Sequence, residues 1–317
     1  MSFFFLACAA PDTESASSVN DTAHDSGEVE EGPQPAPLAA LSSGECPSLE
    51  ASGTSSFLSS GVERSVTVIV PSTPAADMPL YFFFHGLDDP SATDHPGASW
   101  SSQLDVQSLA DDTGTVWVFA DSPIQNMYGY EFYLWNLETT GNLDLVLYDD
   151  LRSCVAENLD VDLSRASAMG FSGGALFTTL LLAHRADTLA TVVQLSGGAD
   201  LTVPTFDELL ALYAEPATDL PVLLTTGGEA DVWPNESLKI VDFYAASDTL
   251  QGYLLDDGHY VVRCNDEKGH SVNRADWDLG VSWLLAHSFG GASPFASAGL
   301  GDDADWCAEA ELSTGEE

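Results

Sequence analysis

A chain of 317 residues, 44% of them hydrophobic, can bury a sizeable core as one large domain or two small ones. Its 50 acidic against 8 basic residues give a formal net charge of −42. That balance excludes nucleic acid and anionic membrane as electrostatic partners, because phosphate recognition needs clustered Lys and Arg. It fits a highly soluble surface, or a salt-rich medium that screens the self-repulsion.

The chain opens with a short apolar segment, M-S-F-F-F-L-A-C, ending Leu6-Ala7-Cys8. The segment is similar to a bacterial lipobox, in which the cysteine carries the lipid anchor. It is short and lacks a basic n-region, so it reads as a lipoprotein signal with its start upstream, or as an ordinary apolar terminus. Residues 9–43 hold Pro, Ser, Ala, Gly and acidic residues with no Lys or Arg and no periodicity. They read as a disordered, self-repelling linker. The expected organisation is signal and linker over 1–43, a folded domain over 44–289, and an acidic tail over 290–317. No run of 18 apolar residues predicts a membrane-spanning helix. In an exported chain Cys46, Cys154, Cys264 and Cys307 form two disulfides, in any of three pairings, with Cys307 tying the tail to the body. Export places the protein outside the cytoplasm, secreted or on a bacterial surface; a monomer is expected.

In chain order, residues 61–70 alternate and are β-branched, a strand paired with 53–59 and ended by Pro71. Residues 79–84 are apolar without interruption, which predicts a strand buried on both faces of a parallel sheet. It stops at His85-Gly86-Leu87, where a loop leaves the sheet edge. Residues 100–111 read as an amphipathic helix and 115–120 as another buried strand. The aromatic stretch M-Y-G-Y-E-F-Y-L-W at 127–135 reads either as core packed under a loop or as a substrate wall through Tyr128, Tyr130 and Trp135. A helix follows at 143–158, a strand at 166–169 and a helix at 175–183. Strands are then expected at 191–195 and 220–226, short helices at 206–214 and 238–247, last strands at 253–255 and 260–264, and a closing helix at 274–287. Strand and helix alternate, which predicts an α/β fold with a mostly parallel central sheet and helices on both faces.

Between the strand at 166–169 and the helix at 175–183 stands Gly170-Phe171-Ser172-Gly173-Gly174. A sharp strand-to-helix turn projects a serine out of the sheet, and small neighbours permit the turn. Ser172 is the candidate nucleophile; the alternative is a Gly-rich turn of any α/β protein. A serine nucleophile needs a base and the base an orienting carboxylate, in the order Ser, acid, His on loops after successive strands. Asp231 and His270 meet that order. His259 is the second candidate base, and Glu229, Asp256 and Asp257 are the second candidates for the acid. The oxyanion donors are expected from the N–H of Gly173 and that of Gly86 or Leu87. No cofactor is implied, no His/Cys/Asp cluster has metal-ligand spacing, and Asp302, Asp303 and Asp305 match no calcium loop.

The set P-L-Y-F-F-F-H-G-L, W-N, V-D-L-S-R-A-S-A-M-G-F-S-G-G-A, L-S-G-G, G-G-E-A-D-V-W-P and G-H-S resembles the α/β-hydrolase fold. Within it, the chain is similar to the secreted polyhydroxybutyrate depolymerase and feruloyl or acetylxylan esterase group. The likeness rests on Val161-Asp162, Arg165 and Gly170 to Gly174, on the acid loop from Gly228 to Pro234, and on Gly269-His270-Ser271. Val272 departs from that group, which has Trp at this position. The resemblance covers residues 61–287 and implies ester hydrolysis through an acyl-enzyme on Ser172, with Asp231 and His270 completing the triad. The substrate it implies is a polyhydroxyalkanoate, feruloyl or acetyl-polysaccharide ester. Two other readings of the same fold are a serine peptidase and a non-catalytic surface protein that binds carbohydrate or polymer.

Overall fold

The computed structural model describes residues 32–127, 129–202, 209–301 and 304–311. The chain divides into two units, 1–32 and 33–317. The elements below belong to the second; Cys8 lies outside the described residues.

Elements run in the following order. The hairpin β1 (Gly53–Ser59) and β2 (Val62–Ile69) comes first, then β3 (Met78–Phe84). Next are α1 (Pro96–Gln103), α2 (Val106–Thr113) and β4 (Val116–Ala120). A small hairpin, β5 (Ile124–Met127) and β6 (Tyr130–Tyr133), precedes α3 (Leu143–Asn158). Then come β7 (Val161–Phe171), α4 (Gly173–Arg185) and β8 (Val192–Leu195). Short β9 (Leu201–Thr202) and β10 (Leu209–Leu210) pair before β11 (Val222–Thr226). A second small hairpin, β12 (Val232–Asn235) and β13 (Leu238–Asp242), leads into α5 (Phe243–Asp256). The chain closes with β14 (Val261–Asn265), α6 (Arg274–Ala286), α7 (Phe295–Ala298) and β15 (Cys307–Glu309).

Nine strands form the central sheet in the order β1-β2-β4-β3-β7-β8-β11-β14-β15. The six from β4 to β14 are parallel, and the edges are antiparallel. Every residue of β3 is buried, and its side chains alternate between two cores. Leu80, Phe82 and Phe84 pack with residues of α3, α4 and α5 on one face. Tyr81 and Phe83 pack with α2 and α6 on the other. Each such aromatic buried from water contributes about 1.5–3 kcal/mol, which is why an uninterrupted apolar run marks the sheet centre. Arg165 pairs with Asp162 at 2.7 Å and donates to the Asp77 carbonyl, tying the start of β7 to the entry of β3.

The structure departs from the sequence expectations at several points. The helix expected over 100–111 is two helices, broken where Asp105 takes a left-handed φ of 52°. The helix expected over 238–247 begins as strand β13, and the strand expected at 253–255 is the C-terminal part of α5. Three apolar residues in a row carry no period, so tertiary packing of Leu254 decides. The aromatic stretch at 127–135 is mostly hairpin. Of the helix expected over 206–214, residues 206–208 lie outside the described residues, and 209–210 are strand.

Residues 33–43, assigned to the linker by composition, are bound to the body. Arg152 donates to the carbonyls of Ala36 and Pro37, Ser153 to that of Ala39, and Ser42 Oγ to Asp150 Oδ2 at 2.5 Å. Pro-rich chain lacks its own periodicity but can still be held by side chains of α3. The disulfides are Cys46–Cys154 and Cys264–Cys307. The first spans 108 residues of sequence, a closure worth about 4–5 kcal/mol of denatured-state entropy. The second joins β14 to β15, so the expected tail supplies the ninth strand.

Candidate active site

The elbow is built first. β7 ends at Phe171, Ser172 turns the chain with φ 54° and ψ −122°, and α4 starts at Gly173. A non-glycine residue at positive φ costs about 1–3 kcal/mol and persists only where its surroundings fix it. Here the Ser172 N–H donates to the Leu195 carbonyl at 3.0 Å, and the Ser172 carbonyl accepts from Leu176 N at 3.0 Å. Gly174 lets α4 approach β3: a Cβ there would lie 1.9 Å from the Phe84 carbonyl oxygen.

His270 and Asp231 arrive on the loops after β14 and β11. His270 Nε2 lies 2.9 Å from Ser172 Oγ, and Nδ1 lies 2.7 Å from Asp231 Oδ1. A carboxylate only accepts, so Nδ1 carries the proton and Nε2 accepts from the serine hydroxyl. Asp231 is fully buried. Its other oxygen accepts from Ser196 Oγ at 2.7 Å and Gly227 N at 3.0 Å, so the buried charge is met on both oxygens. The two loops touch through glycine: a Cβ at Gly227 would lie 2.0 Å from the Gly269 carbonyl oxygen, and Gly269 N donates to the Gly227 carbonyl at 2.8 Å.

The imidazole is held by rings. Phe243 stacks on His270 with centroids 4.3 Å apart and planes 6° apart, and Phe171 stacks with centroids 5.0 Å apart at 23°. Phe243 also donates its N–H to the Asp231 carbonyl at 3.0 Å, so one residue fixes both acid and base.

Gly173 is the first residue of α4, so its N–H has no partner inside the helix. A Cβ on Gly173 would lie 3.9 Å from Leu87 N, which places the two amides beside one another. Gly86 lets the loop close on the elbow, since a Cβ there would lie 3.2 Å from the Ser172 Cβ. His85 holds that loop: its Nε2 accepts from Ser122 N at 3.1 Å, so Nδ1–H donates to the Gly86 carbonyl. Trp135 Nε1 donates to the His85 carbonyl at 2.8 Å, and Asn136 N to Asp144 Oδ2 at 2.7 Å. Asp144 is held in turn by Arg64 at 2.7 Å in a buried ion pair.

A cavity of about 390 Å³ opens beside Ser172, between the β5–β6 and β12–β13 hairpins. Leu134, Leu176, Trp233, Ile240 and Phe243 give it an apolar lining. Of the aromatic candidates for substrate contact, Trp135 reaches the cavity but is 1% exposed, packed on Phe84 and Phe177. Tyr130 is 69% exposed and is not part of the lining, because the hairpin carries it outward at its turn. Tyr128 lies outside the described residues.

The second candidates for base and acid stand elsewhere. His259 is buried before β14, with Nδ1 3.1 Å from Leu220 N. Asp257 accepts from Tyr213 OH at the end of α5, beside Asp256, and Glu229 is exposed. Ser196, Phe171 and Phe243 escaped the sequence reading. Ser196 had a signal, since it follows the strand neighbouring both Ser172 and Asp231. The rings had none, because stacking is set by three distant segments.

No protein-family model and no curated protein sequence matches the chain. Solved structures do. The native structure of pOPH aligns with a TM-score of 0.62 at 17% identity, over 85% of this chain and 98% of that one. Native sOPH aligns at 0.61 and 15% identity, over 83% and 96%. A ferulic acid esterase aligns at 0.53 and 14% identity, over 74% and 95%. With the sheet order and crossovers, this likeness establishes the α/β-hydrolase fold.

Proposed function

We propose that this chain is a serine carboxylic-ester hydrolase working through an acyl-enzyme on Ser172. The observation that carries the reading is the continuous hydrogen-bonded line Ser172–His270–Asp231, 2.9 and 2.7 Å long, at a strand-to-helix elbow. The esterase among the structures of like fold agrees with it.

His270 Nε2 takes the Ser172 proton as Oγ attacks the ester carbonyl. Asp231 keeps the tautomer and supports the imidazolium. The amides of Gly173 and Leu87 receive the oxyanion. His270 then passes the proton to the leaving alcohol oxygen. Water, activated by the same nitrogen, releases the acid and restores the serine. Side chains and backbone amides alone supply this chemistry. The candidate substrates are polyhydroxyalkanoate, feruloyl and acetyl-polysaccharide esters. The protein acts outside the cytoplasm, secreted or anchored through Cys8; the two disulfides favour an oxidising compartment.

Ser172→Ala tests the reading. Hydrolysis of p-nitrophenyl butyrate is expected to fall by at least about 10⁴-fold, with folding intact by circular dichroism. Undiminished turnover by that variant would remove Ser172 from the reaction.

A further inference from the structure

The Ser172–His270 pair is bordered by two unlike spaces. One is the 390 Å³ cavity, lined by Ser172, Leu87 and Gly173 together with Leu134, Leu176 and Ile240. His270 is not part of its lining. The other is an open cleft that His270 borders with Ala230, Val232, Pro234 and Glu236, and Ser172 is not part of that one.

This division assigns the two halves of an ester, given hydrolysis at Ser172 as proposed above. The carbonyl oxygen must point to the Gly173 and Leu87 amides. The leaving oxygen must lie within reach of His270 Nε2, because that nitrogen holds the proton it receives. The acyl substituent then points away from His270, into the cavity, and the alcohol lies in the open cleft.

The cavity is too large for acetyl. One water takes about 30 Å³, and a methyl group of similar size would leave most of the space unfilled. Nor does it suit an anion. Among the described residues no Lys or Arg lines it, Glu138 does, and the Gln125 amide is already donated to the Leu134 carbonyl. A carboxylate placed there would face Glu138 with no cation to pair it and only the Asn126 and Asn136 amides to donate to it, inside a chain of net charge −42.

We infer that the substrate is an ester of an uncharged, largely apolar acyl group several carbons longer than acetyl, and that selectivity lies on the acyl side. The alcohol is weakly selected, so a bulky or polymeric alcohol fits.

The test is a matched ester series. For p-nitrophenyl acetate, butyrate and hexanoate, kcat/KM is expected to rise roughly fourfold per methylene, about 250-fold from acetyl to hexanoyl. The p-nitrophenyl monoester of adipic acid, the same length with a terminal carboxylate, is expected at least about 100-fold below the hexanoate. Methyl and butyl hexanoate are expected to agree within about threefold. Ile240→Trp on the half-buried hairpin and Leu176→Trp at the elbow should each cut the hexanoyl-to-acetyl ratio to about tenfold or less; the hairpin variant serves if the elbow variant does not fold. Acetate turned over as fast as hexanoate, or a ratio unmoved by either substitution, overturns the acyl assignment. If a fluorophosphonate still labels Ser172 in that case, ester hydrolysis stands. No labelling and no turnover of any ester would remove both.

Discussion

Residues 161–185 carry Ser172 and residues 232–242 line the cavity beside it, and the two are built on different terms. The first is an eleven-residue strand between β3 and β8 running into a thirteen-residue helix whose first ten residues are all buried. The second is a ribbon of four and five residues, at most half-buried apart from Val232, and outside the central sheet. In the proposed reaction, chemistry rests on the part whose geometry is over-determined, and choice of substrate on the part that tolerates change. Phe243 joins the two: it follows the ribbon as the first residue of α5, walls the cavity and stacks on His270.

Substitutions graded along this contrast should sharpen or break it. The largest effect belongs to the elbow. Gly174→Ala would force a Cβ to 1.9 Å from the Phe84 carbonyl, between backbone segments that cannot yield. Loss of soluble folded protein, or a fall in stability of more than about 3 kcal/mol in urea titration, is expected. Near wild-type stability would mean the elbow is not rigid.

At the junction the effect is kinetic. Phe243→Leu keeps apolar bulk and removes the flat face on His270, and kcat is expected to fall about three- to tenfold. Phe243→Tyr should recover most of it. Equal losses in both variants would assign Phe243 to packing alone.

The smallest effect lies behind the base loop. Asp276 caps α6 by accepting from Asn273 N, yet it is 4% exposed, and one of its oxygens is buried without a partner among the described residues. Burial pushes its carboxyl up to about 6, and the neighbouring Asp266 charge acts in the same direction. The folded state therefore holds this proton more tightly than the unfolded chain. Stability from it is full below about pH 4 and lost as pH rises through about 6. Asp276→Asn should raise stability at pH 7.5 by about 1–2 kcal/mol relative to wild type and leave it little changed at pH 4. The reverse order of the two pH values would contradict the burial argument.

Legibility in the sequence followed the same divide. The elbow shows itself in local order: an apolar strand, glycines around a serine, then a helical run. The helix at 143–158 was readable from its apolar spacing, and Asn142 starts it by accepting from the N–H groups of Asp144 and Leu145. Asp231 and His270 followed from their place after strands. The ribbon at 232–242 was not legible. Its nine strand residues carry Pro234 and Asn235 but little alternation, and the two strands pair through a register shift between Trp233 and Pro234 that no period announces. Ser196, Phe171 and Phe243 act on residues dozens of positions away, beyond any periodicity. The pairing of cysteines was open for the same reason.

The central claim is that Ser172 is a nucleophile activated by His270. Reaction with a fluorophosphonate, followed by intact-mass measurement and peptide mapping, tests it most directly. The account predicts one adduct, on Ser172, absent in Ser172→Ala and formed at least about 10³-fold more slowly in His270→Ala. An unlabelled protein, an adduct on another residue, or an undiminished rate in His270→Ala would contradict it.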